Sequence, residues 1–188
     1  EQYSEGKVVG CSAFDPIRFV KSNSNKDDII KNIEFALAHG KLGFKFYPPL
    51  GFRAANNDND RVEAVVDIFL DYCAEHQVPV FTHCTPSGFE VVLKKTGVNA
   101  HPKFWRQALE KKGRSKLRLC LGHAGGAINT IHDVEPSKTM MGWLSNDEQW
   151  EDPDNYARLV VDLCKEYENV YCEIANIHEI IHDSGYKA

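Results

Sequence analysis

Two histidines and a lysine are the residues of this chain whose types and spacing suit chemistry. His83 ends the apolar run "VPVFTH" and is followed by "CTPSG"; His123 ends "LRLCLGH"; Lys45 lies within "LGFKFYPP". They recur at intervals of roughly 40 residues, each near the point where an apolar run gives way to Pro or Gly. Neutral imidazole is a good ligand for a divalent metal, zinc above all, and a catalytic metal site keeps one position open for water. Coordination brings the pKa of that water toward ~7 and yields a nucleophile at neutral pH. A histidine on the last residue of a buried strand sits where a side chain can leave the packed interior and meet a ligand.

Blander roles compete for each residue. A single histidine in an apolar strand is more often a hydrogen-bonded core residue than a ligand, but two at equivalent strand ends shift the balance toward a site. Lys45 could belong to a surface edge strand, yet its neighbours Phe44 and Phe46 argue for burial, and a buried lysine needs a partner or a task. His39, His76, His101, His132, His178 and His182 fall in helices, loops or the tail, where solvated or capping roles account for them. Asp15 and Glu173 are weaker candidates near strand ends, since a carboxylate in a turn is commonly a cap. "LGHAGG" lacks both the GxGxxG spacing and a P-loop lysine, so nucleotide binding is set aside.

Positioning these groups requires strands, and the chain alternates short β-rich runs with helical patterns. Strands are expected at 7–14, 42–47, 78–83, 116–123 and 169–175, and helices at 25–40, 60–77, 101–113 and 155–168, with Asn25 as an N-cap and Gly40 as a stop. Strands alternating with helices imply βαβ units and a parallel sheet. An open doubly wound sheet and part of a (β/α)8 barrel both fit. A barrel takes about 250 residues, or roughly 31 per unit, so five units fill most of the 188 residues and the partial barrel is preferred.

Side-chain alternation puts Phe81 and His83 on the inner face, with Val80 and Thr82 toward the helices. The same rule groups Gly43, Lys45 and Tyr47, and it groups Leu119, Leu121 and His123. Lys45, His83 and His123 then meet at the C-terminal rim, where barrel active sites are built. The stretch 127–155 is long for a βα loop and reads as a lid or specificity loop over that rim.

Composition bounds the function class. Hydrophobic residues make up 43% and charged residues 26%, ordinary for a soluble globular domain. The net charge of −5, without a basic stripe, argues against nucleic acid, and no apolar run approaches the roughly 20 residues of a membrane span. Six scattered cysteines without CxxC read as buried apolar residues in a reducing compartment, the cytoplasm. A small-molecule substrate is the expected partner; oligomeric state is left open, a homo-oligomer included. A start at "EQYSEGKVVG" without Met, and an end just after helical-looking sequence, suggest a piece of a longer protein.

"GFKFYPPLGF", "VPVFTHCTPSG", "HPKFWRQALEK", "LRLCLGHAGG" and "NVYCEIAN" together resemble the metal-dependent amidohydrolase superfamily. The likeness is to its amidohydrolase-related branch, which also holds aminocarboxymuconate-semialdehyde decarboxylase-like enzymes, and it runs from about residue 7 to 176. It implies a (β/α)8 barrel of which this chain holds strands three to seven, lacking the first two and the last. It implies that His83 is a metal ligand and His123 a second ligand or a group that activates water and polarises the substrate carbonyl. Lys45 falls where some members carry a carboxylated lysine bridging two metals; unmodified, it could bind a substrate carboxylate.

The family's HxH pair and its aspartate after strand eight are absent from these residues, and Asp183 comes too soon after the last strand to take that role. The expected reaction is hydrolysis of an amide, ester or lactone, or a related decarboxylation, in a fragment inactive by itself. The alternatives are a metal-free Schiff-base lyase using Lys45, its pKa lowered by Phe44 and Phe46, and a barrel that only binds.

Overall fold

The computed structural model describes residues 8–86, 88–92, 96–126, 142–143 and 145–175. Five strands form one sheet: β1 (Ser12–Phe14), β2 (Phe44–Phe46), β3 (Val80–His83), β4 (Leu119–Gly122) and β5 (Val170–Cys172). Their order in space is their order in sequence, and every neighbouring pair is parallel. Six α-helices accompany them among the described residues: α1 (Pro16–Lys21), α2 (Lys26–Ala38), α3 (Asp60–Glu75), α4 (Pro102–Glu110), α5 (Asp147–Trp150) and α6 (Tyr156–Glu166). The expected α/β class with an all-parallel sheet is therefore observed. Two helices exceed expectation, α1 and α5, the latter inside the stretch read as a lid; residues 127–141 and 144 of that stretch lie outside the described residues. No helix among the described residues is long and apolar enough to cross a membrane.

Helix starts follow local chemistry. Asn25 accepts from the Asp28 N–H and the Asp28 carboxylate accepts from the Asn25 N–H, both at 3.0 Å, a reciprocal capping box. Asp15 accepts from Ile17 at 2.9 Å and Pro16 occupies the first helical position, so Asp15 is a cap and α1 starts directly after β1.

Burial follows the strand period. Phe44, Phe46, Val80, Thr82, Leu119 and Leu121 are buried on the helix-facing side of the sheet. Phe69 of α3 stacks on Phe14 with ring centres 3.7 Å apart, and Trp105 of α4 meets Phe46 edge-on at 5.1 Å. On the other side Lys45, Phe81 and Cys120 stand level with one another, and each is half-buried.

An ionic clamp ties α3 to the turn after α4. Lys111 bridges Glu63 and Asp67 at 2.8 and 2.7 Å, and the buried Arg114 bridges Asp67 and Asp71 at 2.8 and 2.6 Å. The three acids stand four residues apart on one face of α3. Burial alone would raise the Glu63 carboxyl, but hydrogen bonds from Lys111 and Asn57 hold it down at about 2.

Candidate functional site

β3 and β4 are in register, with His83 paired to Gly122, so His123 is the first residue beyond its strand. The rings of His83 and His123 stand edge to face with centres 4.9 Å apart. The route by which His123 gets there differs from expectation. Leu119 and Leu121 are buried on the helix side, and strict alternation would send His123 the same way. The strand instead ends at Gly122, and His123 and Ala124 take left-handed backbone with φ of 65° and 47°. That turn carries the imidazole round to the His83 side, so His123 does not share a face with Leu119 and Leu121.

The turn is held from three directions. The Glu173 carboxylate, just past β5, accepts from the His123 N–H at 3.3 Å and also from Ala175 N–H. Gly125 donates to the Cys84 carbonyl at 3.0 Å, and the Trp143 indole donates to the Ala124 carbonyl at 2.8 Å. His123 Nδ1 lies 3.4 Å from the Ala175 carbonyl. Glu173, a weaker candidate in the sequence, thus supports the backbone that presents His123.

Lys45 sits one layer below, its Nζ 4.2 Å from the centre of the Phe81 ring. Burial lowers its pKa from the ordinary lysine value, opposed by the Glu173 carboxylate. The ring beneath the amine is Phe81; Phe44 and Phe46 face the helices, which corrects the expectation that they desolvate it.

Tyr47 completes the constellation. Its ring lies 4.6 Å from that of His83, and its hydroxyl accepts from the Phe89 N–H at 2.9 Å. The sequence offered Tyr47 only as a residue sharing a face with Lys45; the signal pointing further is the glycine at 88, soon after His83, which lets backbone approach both rings.

Elsewhere His101 is buried and committed. Its Nδ1 accepts from the Lys103 N–H at 3.1 Å, capping α4, so Nε2 carries the proton toward the Asp154 carbonyl, 3.1 Å away. Burial, helped by Lys103, pushes its pKa down to about 4. His39 and His76 form the C-terminal caps of α2 and α3. His132, His178, His182 and Asp183 lie outside the described residues.

Among the described residues no group of three or more His, Cys, Asp or Glu is gathered so as to hold a metal ion. The histidine pair has the ring separation that two imidazole ligands of one ion would need. With Zn–N of about 2.0–2.1 Å, two imidazoles on one tetrahedral ion have ring centres roughly 5 Å apart, close to the 4.9 Å between His83 and His123. No protein-family model and no curated protein matches the chain.

Proposed function

We propose that the chain is the middle of a (β/α)8 barrel, strands three to seven, from a metal-dependent hydrolase of the amidohydrolase superfamily. The observation that carries this reading is the 4.9 Å meeting of the His83 and His123 rings at the C-terminal ends of adjacent parallel strands, the end where barrel enzymes build their sites. The sequential strand order supports it too. Consecutive βα units of a barrel run in that order, whereas a doubly wound sheet reverses direction at a switch point.

A bound divalent metal, zinc first among the choices for imidazole, supplies a water whose pKa falls toward ~7. His83 at the end of β3 and His123 just past β4 offer ring nitrogens, and the remaining ligands come from strands outside this chain. His123, half-exposed on its left-handed turn, is the group set to accept a proton or to polarise the carbonyl of an amide, ester or lactone. Lys45 offers a cation to a substrate carboxylate, which also accommodates a decarboxylase. The His83→Ala substitution in the full-length protein abolishes turnover under this reading, and an unchanged rate overturns it.

A second reading draws on the half-buried amine itself. Lys45 over Phe81, with a pKa lowered by burial, has the character of a Schiff-base lysine. Borohydride reduction in the presence of a carbonyl substrate separates the two: the lyase gains covalent mass at Lys45, the hydrolase gains none.

A further inference from the structure

The Gly88–Phe89 backbone passes over the rim where Tyr47 and His83 meet. Gly88 has φ of +140°, and a Cβ there would lie 2.7 Å from the Tyr47 hydroxyl and 2.8 Å from His83 Nε2. Both ring tips therefore converge on the space that a side chain at 88 would occupy, and only glycine fits. Phe89 is 75% exposed, so its side chain anchors nothing in the core. What holds it is the backbone: its N–H donates to Tyr47 at 2.9 Å, and two residues on Val91 donates to the Pro49 carbonyl at 3.2 Å. Tyr47 is thus linked to His83 twice over, by a ring whose centre lies 4.6 Å from that of the imidazole and by the backbone it holds, where residue 88 has no room for a side chain beside Nε2.

We propose that Tyr47 is a positioning residue for His83, its hydroxyl fixing the Gly88–Phe89 backbone against the imidazole. The functional consequence rests on the reading of His83 as a working group of the site, but the coupling between the two rings does not. Tyr47→Phe is the informative variant, because it keeps the ring packed on His83 and removes only the hydroxyl.

The test uses the full-length protein, metal-free, with two readouts that need neither metal nor substrate. Amide exchange at Phe89 should be slowed in the parent protein and accelerate roughly tenfold or more in Tyr47→Phe. Acylation of histidines by diethyl pyrocarbonate, resolved by mass spectrometry, should speed up roughly threefold or more at His83 with His123 unchanged and the melting temperature preserved. Equal acceleration at both histidines with a lowered melting temperature means Tyr47 serves the fold at large and overturns the proposal, as does an unchanged rate at His83. Cobalt(II) titration of the same two proteins adds a spectroscopic readout: a changed d–d band in Tyr47→Phe supports the positioning role. Absence of a cobalt band even in the parent counts against the metal reading alone, and the exchange and acylation results still decide the role of Tyr47.

Discussion

Lys45 and His101 both lose water on folding, and burial moves each toward its neutral form. Their surroundings give them opposite uses. His101 has its acceptor nitrogen committed to the Lys103 N–H and its proton turned to Asp154, so neutrality is needed for the α4 cap. Its folded pKa of about 4 lies below the ordinary histidine value of 6.5. The unfolded chain therefore binds a proton in that window that the folded chain refuses, and stability falls as pH drops from 6.5 to about 4. His101→Asn, which keeps a capping acceptor, is expected to flatten this slope by on the order of 2 kcal/mol, read from denaturant melts at pH 7 and pH 4.5. Lys45 lies on the open face over Phe81. At pH 8 it is expected to be acylated faster than the exposed Lys26, measured by peptide mass spectrometry, because burial favours its neutral amine.

Elements were legible where their caps and periods were strong. The reciprocal Asn25–Asp28 box fixes the start of α2 within a residue of expectation, and removing it by Asn25→Ala should cost about 1 kcal/mol. α1 leaves no periodic signal because its six residues, directly after β1 and a single cap, are too short for a period to register. The face of His123 departs from the strand period for a different reason: alternation holds only while the strand lasts, and the left-handed residues 123 and 124 end it. Nothing local marks His123 for that backbone except the glycines around it. The α3 clamp has no local signal, since the cations that meet Glu63, Asp67 and Asp71 come from Lys111 and Arg114, far along the chain. Arg114 is 2% exposed, and its Nη1 has no hydrogen-bond partner among the described residues. Arg114→Ala is expected to destabilise the fold by roughly 2–3 kcal/mol, measured by urea denaturation, chiefly through the lost packing of a buried side chain and its ion pair to Asp71, since Asp67 keeps Lys111.

For the molecule as a whole, the parallel sheet was readable because continuous apolar runs recur at a steady interval, and so was the placing of His83 and His123 at neighbouring strand ends, though not the turn that brings their rings together. The closure of the sheet was not, because it depends on partners for the outer edges of β1 and β5, which pair with only one neighbour each among the described residues. Tyr171 on β5 is 60% exposed and level with Cys120 on the face that holds Lys45. The 188-residue chain by itself is therefore expected to associate with rising concentration in analytical ultracentrifugation, and Tyr171→Lys to reduce that association. His83 and His123 are proposed to share a metal, and elemental mass spectrometry on the full-length protein, with and without His83→Ala, decides this. About one or two equivalents of zinc or a similar divalent metal are expected in the parent protein and lost in the variant. A parent protein that holds no metal after reconstitution, or a variant that keeps it in full, rules out the shared site.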